Sequence, residues 1–247
     1  MMSLHNTDQV FVAHVKSGYE SRQKSIDAQF SRLNIDFEYL LDGDIADISQ
    51  ETKTRWFLPA LAASPKMMSC TCKHFLIYER IVDSGLQGAL IFEDDIFLAE
   101  DFVQQYNVAS HELFDRDDID PDRAWISYEN STLRFPPKSV FRPSQRLYRA
   151  VEPRCTGAYY IGAEAAKGIL QIANSEKAGL AIDCFVEEIA NRDDSPVDLY
   201  WCHPTIAEQG SMNGVFQSMD TRRTASLWRK MKWNLDKYYK YTKNRVA

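Results

Sequence analysis

Ala89-Leu90-Ile91-Phe92-Glu93-Asp94-Asp95 decides how this chain folds. Four consecutive apolar residues mark a strand covered on both faces, because a half-exposed strand would need a polar residue at every second position. The run stops at three carboxylates, so acids crown the end of a buried strand. Just upstream, His74, Ile77, Tyr78, Ile81 and Val82 recur at helical spacing and fall on one face, and Gly85 can end that helix in the left-handed conformation. Further back, residues 10–15 read as a strand. Ile26, Phe30 and Leu33 follow at helical spacing, and Phe37, Tyr39, Leu40 and Leu41 form a second strand before the turn Asp42-Gly43. Repeated alternation of strand and helix predicts an α/β fold with a mainly parallel central sheet, whose ligands bind beyond the carboxyl ends of the strands. The acidic triplet lies there.

Beyond the triplet the pattern loosens and then recovers. Residues 115–122 read as a charged loop and 124–128 as a strand. Residues 132–144, with Pro136, Pro137 and Pro143, read as a substrate-facing insertion that would select the acceptor. Residues 157–162 and 197–202 have strand character, and helices are expected over 163–173 and 182–190.

Composition bounds the class. With 45% hydrophobic and 26% charged residues in 247, the chain can bury a core the size of one globular domain. The first residues lack a charged head followed by an apolar run, and no stretch approaches the ~18 apolar residues of a membrane span, so a cytoplasmic protein is expected. Five cysteines, an odd number thinly spread, read as reduced thiols rather than a disulfide framework. The net charge of −6 is unevenly divided: from Arg222 onward nine basic residues face the single acid Asp236, leaving −14 for the body. This sets a body of residues 1–220 apart from a basic amphipathic tail, 221–247, in which Leu227, Met231, Leu235 and Tyr238 or Tyr239 recur at helical spacing. Such a helix can dock its apolar stripe on the domain or lie peripherally on an anionic membrane. An acidic body argues against nucleic acid as a partner.

Three adjacent carboxylates repel one another, and a divalent cation resolves the conflict. Strand alternation points Glu93 and Asp95 one way and Asp94 the other, so Glu93 and Asp95 can hold Mn2+ or Mg2+ with positions left open for phosphate oxygens. A solvated acidic loop is the plain alternative. His203, between an apolar strand and Pro204, is placed to add a ligand from a second strand end or to be an ordinary loop histidine. His74 is either a satisfied core histidine or a site residue. The Cys70-Thr71-Cys72-Lys73-His74 spacing is too tight for a structural zinc finger. Asp183, at a helix start, can be a dipole partner or a base. P-loop, dinucleotide and hydrolase-elbow signatures are missing.

The order of these motifs resembles glycosyltransferase family 25, the bacterial lipooligosaccharide glycosyltransferases related to the collagen galactosyltransferases. The resemblance runs from Val10 to Met219. It rests on the first strand with Val12 and His14 followed by Arg22, on the Asp42-Gly43 turn, on Cys70 to His74 and on Glu93-Asp94-Asp95. It continues through Thr156-Gly157-Ala158-Tyr159, Asp183, and Pro204 with Gln209 and Ser211. Two positions depart from the family pattern: His14-Val15 replaces Asn-Leu, and Lys73 replaces the serine before the histidine. The resemblance implies a GT-A type, Rossmann-like fold and metal-assisted transfer of a sugar, most often galactose from UDP-galactose, to a lipooligosaccharide or other glycan. The donor would contact Val12, His14, Arg22, Asp42, Lys73, His74, Glu93, Asp94, Thr156, Gly157, Gln209 and Ser211. In an inverting displacement a carboxylate must take the acceptor's proton, and Asp183 is the first candidate and Glu187 the second. A lipid-linked oligosaccharide presented at the inner face of the membrane would be the acceptor. A relative that binds glycans without turnover and a metal-dependent phosphohydrolase are the competing readings.

Overall fold

The computed structural model describes residues 3–217 and 226–246. The expected boundary at 220–221, Met219 and the cations Arg222 and Arg223 lie outside the described residues.

The chain opens with β1 (Gln9–Ala13), α1 (Glu20–Leu33) and β2 (Glu38–Leu40), then three helices, α2 (Gln50–Trp56), α3 (Pro59–Ala62) and α4 (Pro65–Asp83). Next come β3 (Gly88–Glu93), β4 (Ile96–Leu98), α5 (Phe102–Asp115), β5 (Ala124–Ser127), β6 (Leu147–Arg149) and β7 (Ala158–Gly162). The body closes with α6 (Ala163–Glu176), α7 (Ile182–Ala190), β8 (Asp198–Cys202), β9 (Ala207–Gln209) and α8 (Gly210–Asn213), and the tail forms α9 (Leu227–Val246).

Seven strands make one sheet in the order β2-β1-β3-β7-β5-β8-β6. β2, β1, β3, β5 and β8 share a direction, while β7 and β6 run against it. The mainly parallel α/β architecture expected of the GT-A type is therefore present, with two reversed strands that periodicity does not reveal.

The apolar run of β3 is buried on both faces, as its composition requires. Ala89 and Ile91 enter one core with Phe75 and Ile77 of α4 and Ile169 of α6. Leu90 and Phe92 enter the other, with Ile26 and Phe30 of α1 and Phe102 and Tyr106 of α5. The sheet is thus the middle of three layers. α4 ends as expected, with Gly85 left-handed (φ +63°) just past its cap. Its start is five residues earlier than Cys70, at the Pro65 that suits a first helical turn.

The proline-containing segment 132–144 holds no regular element. Leu133 and Phe135 are buried nonetheless, and Phe135 and Phe141 pack on His203.

Candidate active site

A cleft of about 530 Å³ opens at the carboxyl ends of β1 and β3, between the start of α4, the start of α7 and the segment after β9. That volume lies in the range of small-molecule sites. The acidic triplet forms its floor, and its three members have different partners.

Glu93, the last residue of β3, faces α4. It accepts a hydrogen bond from Thr156 Oγ1 (2.5 Å) and another from Gln209 Nε2 (3.1 Å), and His74 Nε2 stands 3.5 Å away. Burial raises its pKa, but the facing His74 and the Thr156 hydroxyl outweigh that and hold it below the usual carboxylate range. Behind His74, its Nδ1 meets Tyr159 OH at 2.7 Å, and Tyr159 OH meets Tyr78 OH at 2.8 Å. With Tyr159 donating to Nδ1, the ring proton lies on Nε2, which is turned toward Glu93 at 3.5 Å but makes no hydrogen bond to it.

Asp94 points across the sheet to α1. Arg22 NH1 donates to Oδ1 (2.7 Å) and His14 Nδ1 to Oδ2 (2.8 Å), and Arg22 also donates to the Gln217 carbonyl. Both charges are buried, so this carboxylate is fully used inside the fold.

Asp95 has left the strand and lies in the tight turn to β4. Its carbonyl accepts from Gly210 N–H and its Oδ2 from Ser211 N–H (3.0 Å). Oδ1 is buried without a hydrogen-bond partner. Burial, and then the charge of Glu93 beside it, push its pKa up to about 6. An orphaned carboxylate oxygen next to a second carboxylate fits an oxygen-loving divalent cation.

Asp183 borders the cleft from the first turn of α7, where Oδ1 accepts from the Cys184 N–H. The acid triplet, Cys70 and Lys73 of α4, Thr156, Gln209 and Ser211 thus border one cavity, whereas His74 and Gly157, also expected to touch the donor, lie behind it: His74 is wholly buried behind Glu93 and Gly157 N–H is taken by Glu129. Residues 7–186 match the family described as "Glycosyltransferase family 25 (LPS biosynthesis protein)".

The chain belongs to glycosyltransferase family 25. A Haemophilus influenzae protein provisionally named as a glycosyltransferase is 26% identical over 196 residues, covering 76% of this chain and 66% of that protein. Procollagen galactosyltransferase 1 of Danio rerio is 29% identical over 136 residues, covering 55% of this chain and 22% of that one. The chain therefore spans just under two thirds of one relative and about a fifth of the other. A solved glycosyltransferase involved in glycosylating the major capsid of PBCV-1 overlays with a TM-score of 0.42 and 11% identity, over 92% of this chain and 98% of that one.

The two departures from the family-25 pattern have definite places. His14 completes the Asp94 ion pair. Lys73 borders the cleft, but Nζ is held by the carbonyls of Leu41 and Asp42 (3.0 Å each) and by Asp44 Oδ1 (2.8 Å), so its charge ties down the turn after β2. Gly43 makes that turn with a φ of +86°.

Other expected residues fall elsewhere. Val12 is a core residue of β1, and Ala13 borders the cleft in its place. Asp42 projects to solvent beside Lys16, and Asp44 borders the cleft instead. Glu187, one turn beyond Asp183, is not among the lining residues. His203 sits among Phe135, Phe141, Tyr148 and Tyr241, away from the lining of the acidic cleft. Alternation holds for Glu93 against Asp94, but the turn frees Asp95 from it.

Sequence reasoning missed three groups. Cys70, His74 and Glu93 have potential ligand atoms within 4.8 Å of one another, because residues 70 and 74 stack one helical turn apart over the end of β3. Cys72, which confused the spacing, points into the core. Glu129 is wholly buried beside this floor, where it accepts from Gly157 N–H and Ser131 Oγ; burial pushes its pKa well above the usual carboxylate range. Cys155 enters Thr156 with φ +71°, a left-handed conformation at the rim.

Proposed function

We propose that this protein transfers a sugar from a nucleotide donor, UDP-galactose by the family resemblance, to a hydroxyl of a glycan acceptor such as a lipooligosaccharide, with inversion. The observation that carries the proposal is the division of labour in the triplet: Asp94 is neutralised by Arg22 and His14, whereas Asp95, which also lines the cleft, keeps a buried, unpartnered oxygen. A solvated acidic loop would need no such arrangement.

Glu93 and Asp95 would hold Mn2+ or Mg2+, which when bound neutralises the charge that develops on a diphosphate leaving group. The chain's own residues do the rest. Thr156, Gln209 and His74 fix the Glu93 carboxylate, so it meets the donor without reorganising. Arg22, anchored on Asp94, keeps a cation behind the floor. Asp183, bordering the cleft, takes the proton of the incoming acceptor hydroxyl as it attacks the anomeric carbon, and the bond to the diphosphate breaks on the opposite face. The location of Asp183 in the cleft wall, with Glu187 outside it, favours Asp183 as the base. The working place is the cytoplasm, where a lipid-linked acceptor is reached at the inner membrane face. No helix among the described residues is long and apolar enough to cross a membrane.

The test is the product. Incubating the protein with UDP-galactose, Mn2+ and a truncated lipooligosaccharide should yield UDP and a galactosylated glycan. Release of inorganic phosphate without glycan product would overturn the proposal.

A further inference from the structure

The tail helix docks on the body through its polar face, not through its apolar stripe. Arg229, Trp233, Lys237, Tyr241 and Thr242 are its half-buried residues among those described, the first four spaced four apart. Arg229 donates to the Ser211 carbonyl (2.7 Å), Lys237 pairs with Glu208 of β9, and Tyr241 packs on Phe135 and His203. The apolar stripe faces away from the body. Leu227, Trp228, Met231, Leu235, Tyr238 and Tyr239 are between 59 and 83% exposed. At 3.6 residues per turn these six fall within an arc of about 120°. Two exposed lysines, Lys232 and Lys243, adjoin this arc next to Tyr239, whereas Lys230 lies on the docked side. Asp236 is the one acid in the helix.

We propose that this face of α9 is a docking surface for an anionic lipid bilayer, on which the helix lies in the interface plane. The pattern commits to lipid on two grounds. Large leucine and methionine side chains insert beneath the headgroups, while tryptophan and tyrosine rings suit the boundary itself. The flanking ammonium groups then sit at headgroup level, where anionic lipid complements them. A second copy docking symmetrically through the same stripe would bring its lysines against these. The helix is clamped to Ser211 and Glu208, which flank the Gln209 that touches Glu93, so the bilayer would lie near the segment that completes the cleft. The inference stands apart from the transfer chemistry.

The test uses the full chain with two sets of large unilamellar vesicles, one of phosphatidylcholine alone and one with about a third phosphatidylglycerol. Co-sedimentation should be at least about ten-fold stronger with the anionic set and should weaken with salt. Leu235→Asp with Met231→Asp should abolish it without moving the thermal midpoint, since both side chains are exposed. Lys232→Ala and Lys243→Ala should each cost about five-fold on anionic vesicles alone. Absence of anionic binding, or binding unchanged by the double aspartate variant, overturns the proposal. So does a dimer seen by light scattering that the same variant dissolves and lipid does not compete with.

Discussion

Replacing Asp94 and Asp95 separately should change stability in opposite directions, although the residues are adjacent. Asp94→Ala removes the shared acceptor of a buried network: Arg22 NH1 loses its 2.7 Å partner and His14 its 2.8 Å one, leaving the guanidinium buried and less well satisfied. Breaking one side of a buried ion pair costs about 3–5 kcal/mol, and at about 2–4 °C per kcal/mol for a chain of this size the midpoint should fall by roughly 6–20 °C. Asp95→Asn keeps an acceptor for Ser211 N–H and removes a charge that burial and Glu93 disfavour. The shift from 3.8 to about 6 corresponds to at most about 3 kcal/mol at 1.36 kcal/mol per unit. The sign follows from linkage. A raised folded pKa means that the wild-type site contributes stability below about pH 4 and loses it as pH rises through about 6. The metal-free Asn variant should therefore equal wild type near pH 3.5–4 and exceed it at pH 8 by up to about 3 kcal/mol. Chelator-treated protein, melted by differential scanning calorimetry at both pH values, provides the assay. Equal destabilisation by both variants at pH 8 would refute the assignment of Asp94 to the fold and Asp95 to a ligand.

Asp183→Asn should lower the transfer rate about 10²–10⁴-fold while donor affinity stays within a factor of three; equal losses in both would remove Asp183 from the proton-transfer role. Gly157→Ala places a Cβ 2.5 Å from Gln209 Cγ. It should cost about 1–3 kcal/mol in urea denaturation and weaken donor binding by displacing Gln209 from Glu93. Tyr159→Phe leaves His74 Nδ1 and Tyr78 OH without a shared partner in a dry core, at a cost of about 1–3 kcal/mol; an unchanged unfolding midpoint would contradict that hydrogen-bonded chain. Mn2+ affinity should fall as Asp95 takes up its proton below about pH 6, approaching ten-fold per unit, and the Asn variant should lack that dependence.

The strand carrying the triplet was readable because two-sided burial leaves an unbroken apolar run, and α4 because its buried face repeats at 3.6 residues. Strand direction was not readable: β7 carries the same apolar character whether it runs with or against β3, and only its hydrogen-bond ladder shows that it opposes it. α5 was open to the same helical argument, through buried Phe102, Val103, Tyr106, Ala109, Ser110 and Leu113. Within the site, the acids stood out by their adjacency. Pairings over long sequence separation did not: Glu93 with Gln209, Glu129 with Gly157 and Arg22 with Asp94 depend on which strand ends the sheet order brings together. In the tail, periodicity located the apolar stripe but not which face would dock, since Arg229, Lys237 and Tyr241 find specific partners on the body.

On the proposed function the cleft binds a nucleotide sugar through a divalent cation on Asp95. Calorimetric titration of the protein with UDP-galactose and a panel of other nucleotide sugars, with and without Mn2+, tests it most directly. Mn2+-dependent binding of one donor, abolished by Asp95→Asn, is the expected result. Donor binding that ignores Mn2+ and survives the substitution would contradict it.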